Sequence, residues 1–132
     1  MAEKAKRNKQ PVNRTITFGS RIWLAGEKKF FGPGTSQLLS LVDKKRAINA
    51  ARAEMKLSHF KANNMVKTME QELGFKIFKT THGRADGVSA ILTDEGKELV
   101  TCYETLKAEC AGFIKESYDR NFSEFLKTHI NQ

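Results

Sequence analysis

Residues 47–74 read AINAARAEMKLSHFKANNMVKTMEQELG and contain two helical patterns separated by a very short interruption. Asn49 is expected to cap the first, short helix and Ser58 the second, because these side chains accept a hydrogen bond from a first-turn amide. The second helix is expected to stop at Gly74, since glycine readily adopts a positive φ. The interruption around Lys56 leaves room only for a tight turn, so this stretch predicts a closely packed helix pair.

The longer helix has two chemically different faces when its residues are placed at intervals of about 100°. The apolar face comprises Ala62, Met65, Val66, Met69 and Leu73. The opposite face comprises Phe60, Asn64, Lys67 and Gln71, flanked by Lys61 and Thr68. Asn and Gln can bond adenine edges, Lys can reach guanine or phosphate, and Thr can contact a thymine methyl group. The outer face therefore suits the major groove of DNA, although a solvated amphipathic helix is the commoner explanation of such a pattern.

Positive charge concentrates around this helix pair. Residues 44–68 contain seven Lys or Arg residues against one acid, Glu54. The predicted DNA contacts are Lys45, Arg46, Ser58, His59, Phe60, Lys61, Asn64, Lys67, Thr68 and, from a later hairpin tip, Arg84. Two of them have a second interpretation. His59 is interpreted as a polar contact beside the helix cap that can reach phosphate, and the alternative is a catalytic base. Phe60 touches bases or packs on the neighbouring helix.

The flanking segments predict a β-hairpin and a helix before the pair and a second hairpin after it. Alternation across residues 16–31 predicts the first hairpin, which ends at a Gly-Pro-Gly sequence. Thr35 or Ser36 is expected to cap the next helix, whose basic last turn suits the negative end of its dipole. After the pair, FKIFKT and VSAIL predict two strands around a turn-rich tip.

The C-terminal segment predicts a long helix with a narrow apolar seam. Residues 93–95, Thr-Asp-Glu, start the helix with acids at the positive end of its dipole. The seam comprises Leu99, Tyr103, Leu106, Cys110 and Phe113. Such a seam is typical of helices that dimerise, while the alternative is that it covers the monomer's own core against Trp23 and Phe30. Asn121 and Glu124 match a capping box, which predicts a separate last helix.

The order hairpin, three helices, hairpin and long helix is that of a winged helix-turn-helix. The predicted fold class is mainly α (α+β): a winged helix-turn-helix with an N-terminal β-hairpin and a long C-terminal dimerisation helix. We expect a disordered basic arm at residues 1–13, the winged helix-turn-helix DNA-binding domain at 14–93, and C-terminal helices that dimerise at 94–132.

Several of these pieces, taken in order, resemble the N-terminal DNA-binding domain of the molybdate-responsive regulator ModE, which is related to the LysR-type helix-turn-helix. The matching pieces within residues 20–106 are Phe31-Gly32-Pro33-Gly34, Leu38-Leu39, Ile48–Ala51, Ser58–Ala62, Leu73-Gly74 and Leu92-Thr93 followed by Gly96. The resemblance implies a dimeric transcriptional regulator with residues 58–68 as recognition helix and 75–92 as wing. It also implies dimerisation through long helices.

The chain departs from that family at three places. Lys56 stands where the family turn usually has glycine, so the turn is expected to be strained or differently shaped. Asn63 replaces the family's tryptophan. Residues 80–87, TTHGRADG, replace a glycine-rich wing, so Arg84 is a predicted phosphate contact on its own chemistry alone. Only about 40 residues follow the wing, so molybdate sensing is not supported and any other effector is unknown.

Charge is distributed unevenly along a chain of 132 residues, which is most simply one domain. Residues 1–93 contain 18 Lys/Arg and 7 Asp/Glu, a net charge of +11, whereas residues 94–132 contain 5 and 8, a net charge of −3. A basic body with an acidic C-terminal segment suggests a polyanion-binding face. No apolar run approaches the roughly 18 residues of a membrane span, the N-terminus lacks the apolar core of a secretory signal, and a reducing cytoplasm is expected.

No catalytic, metal or cofactor site is predicted. His59, His82 and His129 are scattered, and none has a partner at metal-ligand or catalytic-triad spacing. Cys102 and Cys110 are interpreted as apolar helix residues. We therefore expect a cytoplasmic homodimer, not an enzyme and without a cofactor or membrane partner, that binds double-stranded DNA sequence-specifically. The alternative is a winged-helix module for protein–protein interaction with no specific DNA target.

Overall fold

The computed structural model describes residues 15–84 and 87–130. Within these ranges the fold is mainly helical and includes two β-hairpins, as the sequence predicts. The elements are β1 (Leu24–Ala25), β2 (Lys29–Phe31), α1 (Pro33–Lys45), α2 (Ile48–Glu54), α3 (His59–Leu73), β3 (Phe78–Arg84), β4 (Gly87–Leu92) and α4 (Asp94–His129). The predicted basic arm at residues 1–13 lies outside the described residues, as do the side chains of residues 82–88.

The chain divides into two compact units. The larger unit is Arg21–Lys107, and the smaller unit combines residues 1–20 with 108–132, of which the structure describes 15–20 and 108–130. The division falls inside α4 and not at the predicted residue 93. The reason is that Tyr103, on the first half of α4, is packed into the core of the larger unit.

The core of the larger unit is built around α1. Leu38, Leu39 and Val42 lie on one face of this helix and are fully buried. The same cluster also contains Phe31, Ala51, Met69, Ile77, Phe78, Ala90, Leu92 and Tyr103. Removing each large apolar side chain from water contributes about 1.5–3 kcal/mol. This cluster therefore holds α1, α2, α3, both hairpins and the start of α4 together.

Both hairpins are antiparallel and short. In β1–β2, Leu24 pairs with Phe31, so the predicted strand start near Ile16 is wrong by several residues. In β3–β4 the hydroxyl groups of Thr81 and Ser89 lie 2.6 Å apart across the ladder. The register of this second hairpin becomes irregular toward its tip, between Thr81 and the end of β3.

Residues 15–20 belong to the smaller unit, which explains the late start of β1. The hydroxyl of Tyr118 donates a hydrogen bond of 2.9 Å to the carbonyl oxygen of Ile16. The ring of Phe18 lies 5.0 Å from the ring of Tyr118, which in turn stacks on Phe122 at 5.2 Å. Ile16 and Phe18 therefore pack on the C-terminal half of α4 instead of extending the first hairpin.

Helix α1 begins three or four residues earlier than the sequence predicts. Gly32 is its N-cap and Pro33 occupies the first turn, where a missing N–H costs nothing. The hydroxyl of Thr35 accepts a hydrogen bond from the Gly32 amide at 2.6 Å and donates one to the Gly32 carbonyl at 2.9 Å. The prediction of Thr35 or Ser36 as the cap is therefore wrong, since Thr35 satisfies the cap from inside the helix.

The boundaries of the helix pair are partly as predicted. Helix α2 is preceded by Ala47, so Asn49 is not its cap. The hydroxyl of Ser58 accepts the amide of Lys61 at 3.0 Å, which confirms the predicted cap of α3. Gly74 has a φ of 85° and ends α3, also as predicted. The left-handed conformation at this C-cap is one that glycine adopts without strain.

Helix α4 runs without interruption from Asp94 to His129, so the prediction of a separate last helix is wrong. The side-chain amide of Asn121 donates back to the carbonyl of Ser117 at 2.7 Å. This contact keeps Asn121 within the helix instead of capping a new one. No helix among the described residues, α4 included, is both long and apolar enough to cross a membrane.

Candidate nucleic-acid interface

Helix α3 presents the two faces that its sequence predicts. The inner face comprises the buried Ala62 and Met69 with the partly buried Met65, Val66 and Leu73. The outer face comprises Phe60, Lys61, Asn64, Lys67 and Gln71, which are exposed, with Thr68 half-buried at its edge. Within the described part of the chain, the ammonium groups of Lys61 and Lys67 form no ion pair. The outer face is thus cationic and rich in amide groups.

The turn between α2 and α3 is as tight as the sequence predicts, and its backbone is unusual. Lys56 has a φ of 59°, in the left-handed region that favours glycine. Its amide donates to the carbonyl of Ala53 at 3.0 Å, and the amide of Leu57 donates to the carbonyl of Arg52 at 2.8 Å. The expectation of strain at Lys56 is therefore confirmed.

Arg52 braces this turn from the last part of α2. Its Nη1 donates to the carbonyl of Leu57 at 3.0 Å, and its Nε donates to Oδ1 of Asn49 at 3.2 Å. Its Nη2 lies within hydrogen-bonding distance of Nε2 of His59. The guanidinium group therefore links α2, the turn and the first residue of α3. Sequence reasoning missed this role, although the spacing of three residues from Asn49 is a usable signal.

The two basic residues at the end of α1 differ in their surroundings. Lys45 Nζ lies 2.9 Å from Oε1 of Glu54, and this hydrogen bond lowers the pKa of Glu54. The negative charge of Glu54 therefore offsets part of the charge of Lys45. The backbone of Arg46 accepts the amide of Ala90 at 3.0 Å, while the residue as a whole is exposed. Of the two predicted contacts, Lys45 is therefore the one whose charge is partly offset by an ion pair.

The β3–β4 hairpin follows α3 directly and is tied to it. The amide of Ile77 donates to the carboxylate of Glu70 at 2.8 Å. Arg84 ends β3, and its side chain lies outside the described residues, so its predicted contact is not located. Lys79 is an exposed cation on this hairpin. It was missed as a candidate, because strict alternation puts Lys79 on the same strand face as the apolar Ile77.

A cleft of about 620 Å³ opens beside the outer face of α3, within the larger unit. One wall belongs to the β1–β2 hairpin and the start of α1, and the other belongs to α3. Phe60 is 75% exposed and Trp23 is 47% exposed, and both line this cleft. Phe60 is therefore not covered by a neighbouring helix. No sequence pattern predicted this cleft, because its two walls are at least 25 residues apart in the chain.

The predicted dimerisation seam divides into buried and exposed residues. Tyr103 is only 1% exposed, and its hydroxyl donates to the carbonyl of Ile22 at 2.8 Å. Its ring meets the ring of Phe31 edge-on at 5.0 Å, so Tyr103 belongs to the core of its own chain. The remaining seam residues are the partly buried Leu99 and Cys110 and the exposed Leu106 and Phe113.

In the described ranges, no group of three or more His, Cys, Asp or Glu side chains could hold a metal ion. No protein-family model and no curated protein matches this chain.

Proposed function

We propose that this protein is a sequence-specific, double-stranded DNA-binding transcriptional regulator with a winged helix-turn-helix fold. In this proposal α3 enters the major groove and the β3–β4 hairpin is the wing that contacts the backbone. The observation that carries the proposal is the exposed outer face of α3, which combines Lys61, Asn64 and Lys67 on a helix held by a braced, tight turn. The resemblance to the DNA-binding domain of ModE supports the same reading.

The chemistry of the outer face supports different roles for its residues. An α-helix fits the major groove, where an Asn or Gln side chain can bond the edge of adenine through two hydrogen bonds. We assign this role to the exposed Asn64 and Gln71. Lys61 and Lys67 reach phosphate or guanine, and Arg46 adds charge beside them. The N-terminus of α3, which Ser58 caps, carries the first amides of the helix and the positive end of its dipole. Anions such as phosphate are favoured at this end.

We further propose that the regulator is a cytoplasmic homodimer without catalytic activity or cofactor. The exposed Leu106 and Phe113 support contact with a second copy through α4. Two-fold symmetry would then present two copies of α3 to two half-sites on the DNA. Tyr103 is assigned to the monomer core and takes no part in the dimer interface.

Retention of genomic DNA fragments by the immobilised protein at increasing salt concentration tests the proposal. Each phosphate that the protein neutralises contributes about −0.9 to the slope of log affinity against log salt. We expect retention at low salt and a steep loss as salt rises. If no fragment is retained at low salt, the DNA-binding proposal is wrong.

Substitutions on the outer face separate charge from base recognition. Lys61→Ala and Lys67→Ala are each expected to weaken binding to all sequences and to reduce the salt slope by about 1. Lys97→Ala is the matched control, because Lys97 is exposed on α4 and lies outside this face.

Asn64→Ala is expected to change the preferred sequence found by selection from a random pool, with a loss of about 1–3 kcal/mol on the original site. Asn63→Ala on the same helix is the control, since Asn63 is equally exposed but is not assigned a base contact. An unchanged preferred sequence in the Asn64→Ala protein would show that Asn64 does not read a base.

A protein–protein interaction module is the second candidate. The observation that favours it is the exposure of several large apolar side chains, among them Trp23 and Phe60 in the cleft. Grouped apolar exposure is typical of protein-binding surfaces. This candidate predicts no salt-sensitive retention of DNA, so the same fragment experiment discriminates between the two functions.

A further inference from the structure

The cleft between the β1–β2 hairpin and α3 has two aromatic surfaces. Trp23 stands on the hairpin wall and Phe60 on the helix wall; Phe60 is mostly exposed to solvent and Trp23 about half exposed. Lys29 Nζ lies 4.1 Å from the centre of the Trp23 ring, over its face. A cation in this position is attracted by the ring and stays beside it. The cleft thus offers ring surface and positive charge at the same place.

The charged side chains that line the cleft, among the residues that the structure describes, all have one sign. Arg21 and Lys29 lie on the hairpin wall and Lys61 on the helix wall, and within the same described ranges no Asp or Glu lines the cleft. A concave surface bearing one sign of charge concentrates ions of the opposite sign. The ligand that complements both properties has a flat aromatic ring and a negatively charged group.

We propose that this cleft is a binding site for a small planar aromatic anion. The ring lies against Trp23 and Phe60, and the carboxylate or phosphate of the ligand lies against Arg21, Lys29 and Lys61. A volume of about 620 Å³ falls within the range of small-molecule sites, which are mostly apolar with a few placed polar groups.

The site shares residues with the proposed DNA-binding face. Lys61, Asn64 and Thr68 line the cleft and also belong to the outer face or the edge of α3. A bound anion would neutralise Lys61 and cover Asn64, so it would weaken DNA binding by direct competition. This second part of the inference rests on the proposed function, whereas ligand binding itself does not.

Trp23 is the only tryptophan of the chain, so its indole N–H gives a single, assignable signal in a two-dimensional ¹H–¹⁵N spectrum of the full-length protein. Titration with 2-naphthoate is expected to shift this signal saturably. The neutral isostere 2-naphthamide is expected to bind at least about tenfold more weakly, a difference of about 1.4 kcal/mol. A Trp23 signal that responds equally to both compounds overturns the proposal.

A parallel titration with thymidine 5′-monophosphate distinguishes two sources of the same chemistry. Tighter binding of the nucleotide would identify the natural ligand class as nucleotides, and tighter binding of naphthoate would identify it as free aromatic acids. Either result supports the site. Failure of both probes overturns it.

Two variants test the location of the site independently. Trp23→Leu removes one ring surface, and loss of naphthoate binding is followed by calorimetry. Gly34→Leu adds a bulky side chain at a residue that lines the cleft, where an added Cβ meets nothing within 4 Å, and it keeps the Trp23 reporter. Both are expected to weaken naphthoate binding about tenfold or more, so the second remains decisive if the first does not fold.

Phe75→Ala is the control, because Phe75 is an exposed aromatic residue of the same unit outside the cleft. Unchanged binding in Gly34→Leu, or equal loss in Phe75→Ala, contradicts this location.

Addition of 2-naphthoate to the fragment-retention experiment tests the competition. We expect retention to fall in proportion to occupancy of the cleft, and to fall less in the Gly34→Leu protein. If naphthoate binds and DNA retention does not change, the proposal that the ligand site shares residues with the DNA-binding face is wrong, while the ligand site itself is still supported. If the protein retains no DNA at all, the proposed function fails while the naphthoate titration still decides the ligand site.

Discussion

Lys56 shows how a single residue can determine the geometry of the helix pair. An L-residue in the left-handed region costs about 1–2 kcal/mol relative to the right-handed one. The turn accepts this cost because its amides are hydrogen-bonded. The amide of Lys56 donates to the carbonyl of Ala53, and the amide of Leu57 donates to the carbonyl of Arg52. The strain therefore lies in the turn that sets the direction of α3, and the hydrogen bonds of this turn offset it.

Lys56→Gly is expected to raise the free energy of unfolding by about 0.5–1 kcal/mol. Glycine relieves the left-handed conformation but loses more backbone entropy on folding, so only part of the strain is recovered. Urea denaturation measures the change. Lys56→Ala is the control, because it removes the same charge and keeps the strain. A glycine variant no more stable than the alanine variant would contradict the strain.

Ser36 and Glu104 form a second local device, linking α1 to α4. The buried hydroxyl of Ser36 donates to Oε2 of Glu104 at 2.7 Å, and Lys107 lies 3.2 Å from Oε1 of the same carboxylate. The hydrogen bond from Ser36, helped by Lys107, lowers the pKa of Glu104. Because this pKa is lower in the folded state, the stabilisation is present above the ordinary carboxyl pKa and is lost as the pH falls through the lowered value.

Ser36→Ala is expected to destabilise the protein by roughly 1–2 kcal/mol at neutral pH, since a charge-assisted hydrogen bond is lost. The difference from the unmodified protein should shrink as the pH falls below the ordinary carboxyl range. Denaturation at a series of pH values measures it. Glu104→Gln keeps an acceptor but does not titrate, so its stability should depend less on pH in this window. A Ser36→Ala penalty that is constant down to pH values below that range would refute the assignment.

At the scale of secondary-structure elements, Arg52 adds polar contacts to the apolar contacts that hold the helix pair. One guanidinium group reaches Asn49, Leu57 and His59. The planar group presents several donors in fixed directions, whereas the ammonium of lysine is a single compact centre. The angle between α2 and α3 is thus held by a polar clamp on the surface.

Arg52→Lys is expected to lower the free energy of unfolding by about 1 kcal/mol, because at least one hydrogen bond is lost while the charge is kept. Faster hydrogen exchange is expected for the amides of residues 57–61. DNA affinity should fall by more than in Lys44→Arg, a surface exchange in the opposite direction that serves as control. Unchanged exchange at the turn would show that Arg52 does not brace it.

Helix α4 shows that one sequence pattern can serve two structures. The spacing of Asn121 and Glu124 matches a capping box, yet Asn121 bonds back to Ser117 inside a continuous helix. A cap requires a break in the helix, and nothing in this part of α4 ends the preceding turn. The pattern was compatible with a new helix but could not exclude the continuation of the old one.

At the scale of the whole molecule, the exposed seam residues of α4 are the basis of the proposed dimer. Phe113 is 68% exposed and Leu106 is 40% exposed, an unfavourable arrangement for apolar side chains in water. Phe113→Lys is expected to shift the protein from dimer to monomer in analytical ultracentrifugation at micromolar concentration. Phe75→Lys is the control, since Phe75 is exposed but is not on α4. A protein that is monomeric before any substitution would contradict the dimer.

Much of the larger unit could be predicted from local sequence. Helical spacing identified the apolar face of α3, and serine and glycine chemistry located its two ends at Ser58 and Gly74. The exposed polar face of α3 followed from the same spacing. These features depend on residues within one or two helical turns of each other, so the local sequence is enough to predict them.

Two features outside α3, the position of Tyr103 and the cleft, depend on contacts between segments that are distant in the chain. Tyr103 was expected in a dimer seam, but its hydroxyl bonds Ile22, which lies 81 residues away in the chain. The cleft likewise exists only because the segment around the β1–β2 hairpin lies beside α3, so that Trp23 and Phe60 line the same space.

The amino-acid sequence by itself determined the order of the helices and hairpins, the tight turn at Lys56 and the outward chemistry of α3. The reason is that periodicity, capping and backbone preference act over a few residues. Only the tertiary structure decided that Tyr103 is a core residue, that Arg52 clamps the turn, and that aromatic and basic side chains share a cleft. These outcomes depend on which distant surfaces exclude water together, and no short-range pattern encodes that choice.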